Sequence, residues 1–281
     1  MSRIQQRFEQ MLEPAGIQIN GSSPWDIQVH NPDLFLRIAR DGTLGLGEAY
    51  MDGWWDCEAL DEMITRGFRA GLEDQVRNNL RFLIYLIGFR MVNRQSRARA
   101  FQVGEQHYDI GNDVFEQMLD PHMNYSCGFW ESAVGLDEAQ IAKMEMICAK
   151  LQLEPGMKVL DIGCGWGGLA RWMAQHHGVY VTGVTVSVEQ AKLAQDRCAD
   201  LPVDIEVRDY RALEGKFDRI VSVGMFEHVG QRNYRTFFSK SRSLLKDQGL
   251  FLLHTIGAGR DGFATDRWIE KYIFPNGVLP P

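Results

Sequence analysis

The chain has 281 residues, 45% of them hydrophobic and 24% charged, with a formal net charge of −7. That length can bury a large core and suggests about two domains, while the acidic balance argues against a nucleic-acid partner, which needs a basic footprint. Five cysteines (Cys57, Cys127, Cys148, Cys164, Cys198) occur with no C-x-x-C pair, so neither a disulfide framework nor a zinc site is indicated and a reducing cytoplasm is expected.

The N-terminus lacks the apolar core of a signal peptide. Residues 1–92 carry helical patterns and turns and read as a small helical domain, including a glycine-punctuated segment at 44–55 with adjacent Trp54 and Trp55. Between residues 77 and 99 stand six arginines (Arg77, Arg81, Arg90, Arg94, Arg97, Arg99) and no acid. They flank the apolar run 82–87, which is far shorter than the ~20 residues of a bilayer span. A helix over 75–100 has two readings: an interfacial helix on an anionic membrane, or a core helix with solvated ends. A linker at 93–103 leads into a second domain over 104–281.

Residues 137–151 predict an amphipathic helix with Ile141, Met144, Ile147, Cys148 and Leu151 on one stripe. Strand 158–162, helix 167–177, strand 179–185, helix 188–199, strands 203–208 and 217–223, helix 233–245 and strand 249–255 follow. This alternation predicts an α/β fold with a doubly wound, Rossmann-like parallel sheet and ligands at the carboxyl ends of its strands. The pattern ends two strands short of a complete cofactor domain, so a C-terminally incomplete chain is expected at Pro281.

The most informative stretch is Val159-Leu160-Asp161-Ile162-Gly163-Cys164-Gly165-Trp166-Gly167-Gly168. A buried strand ends in an acid and three spaced glycines that open a helix, leaving no side chains where a ligand lies against the backbone. The second and third glycines are two apart rather than three, so a dinucleotide pyrophosphate is not the first expectation. S-adenosylmethionine, which has no phosphates, fits better. The second strand ends without the usual ribose-binding acid, leaving Thr185 and Gln190 to supply polar contacts; Ser187-x-x-Gln190 equally reads as a capping box. Asp209-Tyr210, after the third strand, stand where an adenine would be held. Glu227 and His254 end adjacent strands and converge on the same edge.

Tyr108-Asp109-x-Gly111-Asn112-Asp113, Tyr125-Ser126-Cys127, the glycine turn, Gly224-Met225-Phe226-Glu227-His228-Val229-Gly230 and Tyr272-Ile273-Phe274-Pro275-Asn276-Gly277 occur in this order. On these motifs the chain resembles the cyclopropane-fatty-acyl-phospholipid synthases, relatives of the mycolic-acid cyclopropane synthases. The resemblance implies a class I methyltransferase fold and methylene transfer from S-adenosylmethionine to a cis double bond of a membrane phospholipid. It also implies a bicarbonate ion as base, held by the side chains of Glu227 and His254 and the backbones of Cys127 and Ile256. Tyr108 and Phe226 would flank a carbocation. Tyr125, Ser126, Asp161, Gly163, Gly165, Gly167, Thr185, Gln190, Asp209 and Tyr210 would hold the cofactor. A homodimer, peripheral at the inner face of an anionic membrane, is implied as well. Two alternatives remain: a lipid methyltransferase giving a methyl-branched product, and an inactive cofactor- or lipid-binding fragment.

Overall fold

The computed structural model describes residues 3–72, 112–257, 266–274 and 277–280. The arginine-flanked helix expected at 75–100, and Tyr108, lie outside the described residues. The chain divides into two compact units: Met1–Val92 with Asp266–Ile273, and Asn93–Thr265 with Phe274–Pro281.

The first unit contains α1 (Arg3–Leu12), α2 (Leu34–Asp41), α3 (Thr43–Met51) and α4 (Leu60–Arg69), with a short antiparallel pair, β1 (Gln28–Val29) and β2 (Trp55–Asp56). Leu12, Ile17, Leu34, Ala49, Trp55 and Met63 form its core. The segment Asp266–Ile273 belongs to this unit, and within it the α3 residue Gly47 leaves room for the Trp268 ring, since a Cβ there would stand 2.4 Å from Trp268 Cδ1. Glu48 gathers Lys271 Nζ at 2.6 Å, Tyr272 Oη at 3.0 Å and Arg37 at 3.1 Å.

Among the described residues, the second unit shows α5 (Asn112–Met118) and α6 (Leu136–Leu151), then a sheet with helices on both faces. Its strands are β3 (Lys158–Ile162), β4 (Tyr180–Thr185), β5 (Val203–Val207), β6 (Phe217–Val223) and β7 (Leu245–His254), in the order β5-β4-β3-β6-β7, all parallel. Helices α7 (Gly168–His177), α8 (Val188–Arg197) and α9 (Tyr234–Leu244) make the crossovers. Alternation along β3 sends Val159 to a core with Met144, Ile147, Met173 and Ala191. Leu160 and Ile162 go to the opposite core with Phe226, Phe237 and Leu244. The order reverses beside β3, which places a crevice at its carboxyl end between β4 and β6.

Between 137 and 255 the expected strand and helix boundaries hold to within a residue or two except at β7, which begins at Leu245 rather than 249. The earlier start is accommodated by a register shift between the pairs Phe217↔Leu245 and Arg219↔Leu250. Of the α6 stripe, Met144, Ile147, Cys148 and Leu151 are buried and Ile141 partly so, and Gln140 and Lys143 are buried with them. Among the described residues, no helix is long and apolar enough to cross a membrane.

Candidate active site

β3 delivers Asp161 and then turns sharply. Gly163 has φ +85° and Gly165 φ +54°, a region costly to residues with a Cβ. A Cβ on Gly163 would stand 2.7 Å from Met225, whereas a Cβ on Gly165 would meet nothing within 4 Å. The turn is laced to β4, because Gly163 N and Cys164 N both donate to the Val184 carbonyl. It is held from the other side by Trp166, which is fully buried, donates to Asn112 Oδ1 at 2.7 Å and packs on Phe115.

A cleft opens at this turn. Nine of the ten expected cofactor residues line it: Tyr125, Ser126, Asp161, Gly163, Gly165, Thr185, Gln190, Asp209 and Tyr210. Gly167 does not. It is the N-cap of α7 and faces Ala194 on α8 and Cys198 at that helix's C-cap, and a Cβ here would come 3.1 Å from Ala194 Cβ. Thr185 Oγ1 donates to Gln190 Oε1 at 2.8 Å, while Ser187 Oγ accepts from Gln190 N. Gln190 therefore serves at once in the helix cap, through its backbone, and in the cleft wall, through its side chain. The Asp209 carboxylate accepts from the Arg211 guanidinium and backbone N–H, and the Tyr210 ring is braced edge-on by Phe237.

Asp161 is only 2% exposed and its carboxylate makes no hydrogen bond to a described residue. Burial raises its pKa to about 7, opposed only by the charge of Lys143. Lys143 is the residue that sequence reasoning missed. It is 2% exposed, lines the same cleft and donates to Ser126 Oγ at 2.7 Å. Burial lowers its pKa to about 8, with Asp120, Cys127 and Asp161 acting in the opposite direction. Its signal was present in the sequence: it stands one turn before Ile147, a lysine on an otherwise apolar stripe.

Glu227 is 8% exposed and lies on the one-turn helix Phe226–His228 after β6. Its Oε1 accepts from Ile256 N at 2.7 Å, and its Oε2 is buried with no hydrogen-bond partner among the described residues. His254, at the end of β7, accepts from Gly224 N through its carbonyl. Its ring pKa is lowered, first by burial and then by the Lys143 charge, with Glu227 opposing. The structure thus brings Glu227 together with the β7 end, but the cleft wall at this point is formed by Gly224, Met225 and His228. Cys127 is exposed. The Ile256 N–H, expected to face an anion, is donated to Glu227. Phe226, expected beside a cation, packs in the core: it stacks on Tyr234 at 4.4 Å and packs on Phe237, within the apolar cluster that also holds Leu160 and Ile162. Among the described residues no three potential ligands cluster to hold a metal ion.

Comparison with known proteins decides the lineage. The family described as mycolic acid cyclopropane synthetase matches residues 95–281, a span that contains the whole cleft. The chain belongs to this cyclopropane synthetase family. It is 56% identical over 271 residues to the cyclopropane-fatty-acyl-phospholipid synthase of Escherichia coli K12, covering 96% of this chain and 71% of that protein. A probable fatty acid methyltransferase of Pseudomonas putida is 42% identical, covering 92% and 68%. Among solved structures, the mycolic acid cyclopropane synthase CmaA1 complexed with SAH and CTAB superposes with a TM-score of 0.59 at 36% identity. That match covers 64% of this chain and 70% of CmaA1. The five parallel strands and crossover helices are the class I methyltransferase arrangement that these cyclopropane synthetases share.

Proposed function

We propose that this chain is an S-adenosylmethionine-dependent enzyme that adds a methylene to a cis double bond in a phospholipid acyl chain, closing a cyclopropane ring. The observation that carries the reading is the 56% identity to the Escherichia coli synthase over 96% of the chain, with the family's glycine turn lining the cleft. The residues fit the cofactor on structural grounds: a buried acid with no hydrogen bond to its carboxylate among the described residues lines the cleft, and Gly165 leaves open space where a side chain would intrude. When bound, S-adenosylmethionine supplies an electrophilic sulfonium methyl.

The chain's own residues do the rest. Asp161 accepts the α-ammonium of the amino-acid end; Thr185, Gln190 and Asp209 hold the ribose and adenine; Tyr210 covers the ring. An alkene is a weak nucleophile, so holding it in line and dry supplies much of the acceleration. A carboxylate fixed by the Ile256 N–H, as Glu227 is, stabilises developing positive charge without reorganising. The unpartnered Glu227 Oε2 suits the O–H of a bicarbonate ion, and a neutral His254 ring adds a donor on the same side. Bicarbonate would then serve as the base. On this reading the protein works in the cytoplasm as a homodimer, peripheral at the inner membrane face, with the 1–92 domain and the basic 77–99 segment contacting anionic lipid and 93–103 as linker.

A second reading, a methyl-branched product from the same donor, is favoured by the similarity to the Pseudomonas putida methyltransferase. Vesicles of oleoyl phospholipid incubated with the protein, labelled cofactor and bicarbonate separate the two by gas chromatography of the fatty acid esters. The proposal predicts a labelled cyclopropane ester. A labelled branched ester supports the second reading, and no labelled ester refutes both.

A further inference from the structure

The cofactor proposed above ends in an amino acid, which at neutral pH is a zwitterion. A dry site must therefore meet two opposite charges a few ångströms apart, and meeting only one leaves the other buried and unpaired. Asp161 supplies the negative partner. Lys143 reaches the same cleft from α6. It is a lysine at 2% exposure, and among the described residues its ammonium has no carboxylate within 4 Å. One of its N–H bonds goes to Ser126 Oγ at 2.7 Å, which leaves donors over. A buried ammonium seldom persists without an anion unless something else requires it. Three groups steady Lys143 without closing it off. Ser126 Oγ accepts one N–H, Gln140 holds the Ser126 carbonyl at 2.8 Å and so fixes the loop, and Met144 and Ile147 anchor α6 in the core.

We propose that Lys143 is the cationic half of a cradle for the amino-acid end of the cofactor, its ammonium taking the α-carboxylate while Asp161 takes the α-ammonium. The assignment rests on the cofactor reading above and adds a binding residue to it. It gives Ser126 a role beyond lining the cleft: the hydroxyl that accepts from Lys143 holds the ammonium head in place. On this assignment both buried groups find an opposite charge on the bound ligand. Lys143 bears on His254 electrostatically as well, so the cradle and the end of β7 share one local field.

The test compares two ligands that differ in the amino-acid end. S-adenosylhomocysteine carries the zwitterion; 5′-methylthioadenosine has the same nucleoside and thioether but neither charge. Calorimetric titration of the parent chain, Lys143→Met and Lys143→Gln with each ligand is expected to show S-adenosylhomocysteine weakened about 30-fold or more in both variants. Methylthioadenosine should stay within about twofold, which also certifies that the variant cleft is folded. Equal losses for both ligands in both variants would mean that Lys143 only supports the wall, and unchanged affinity for both would mean that it does nothing here; either result overturns the assignment. A parent chain that binds neither ligand instead sinks the cofactor reading itself, so the two failures are told apart.

Discussion

Replacing Asp161 by Asn separates what this acid does for binding from what it costs the fold. Burial lifts its pKa from 3.8 to about 7, and each unit corresponds to about 1.4 kcal/mol. The ionised side chain therefore burdens the ligand-free protein by roughly 4 kcal/mol at most. An asparagine has no charge to desolvate, but its amide is itself buried at a cost of about 1–3 kcal/mol. The variant is expected to be more stable than the parent by about 1–3 kcal/mol at pH 8, roughly 2–8 °C in melting temperature. The sign follows from proton binding. The folded protein keeps a proton on Asp161 up to about pH 7 and the unfolded chain only to about pH 4, so the burden is absent below pH 4, grows between those values and is complete above pH 7. Lys143 loses its counter-charge in the variant, but with a pKa near 8 it can shed its proton at that pH for little cost. Thermal denaturation of both proteins at several pH values reads the difference, and titration with S-adenosylhomocysteine should show binding weakened at least about 30-fold. A variant less stable at pH 8, or a difference that does not change with pH, would refute the reasoning.

Glu227→Gln removes the charge held by the Ile256 N–H; turnover should fall by about 100-fold or more while S-adenosylhomocysteine affinity stays within about twofold, as kinetics and calorimetry can check. Gly168→Ala would bring a Cβ to 2.0 Å from the His122 carbonyl oxygen, which backbone movement alone relieves, so denaturant unfolding should show a loss of about 1–3 kcal/mol or more. Glu48 is held at a pKa of about 2, first by its hydrogen bond from Lys271, then by Arg37 and Tyr272. Its stabilising effect is present above its ordinary pKa of 4.5 and is lost as pH falls toward 2. Glu48→Gln should flatten this part of the acid-unfolding profile, by a modest, salt-sensitive amount since Lys271 is half exposed.

Much of the second unit was legible because its signals are local. A run such as Val159-Leu160 ending in Asp161 and spaced glycines fixes a strand, a turn and a helix start within a dozen residues, and the structure places the strand where expected. The β7 start was not legible, because its length is set by pairing with Phe217 and Arg219 some thirty residues earlier. Phe226 misled for a related reason. Its place beside a cation came from the motif alone, and only the packing of Tyr234 and Phe237 on its ring shows it to be core. Lys143 could have been found by asking why a lysine shares a stripe with Met144 and Ile147. That Glu227 spends the Ile256 N–H is a tertiary fact, invisible to spacing.

The central claim, methylene transfer at this cleft, is tested most directly by supplying S-adenosylmethionine with a trideuterated methyl group and analysing the acyl esters by gas chromatography and mass spectrometry. Ring closure after loss of one methyl hydron predicts a cyclopropane ester bearing two deuteriums. A branched ester that keeps all three, or acyl chains left unlabelled, would contradict it.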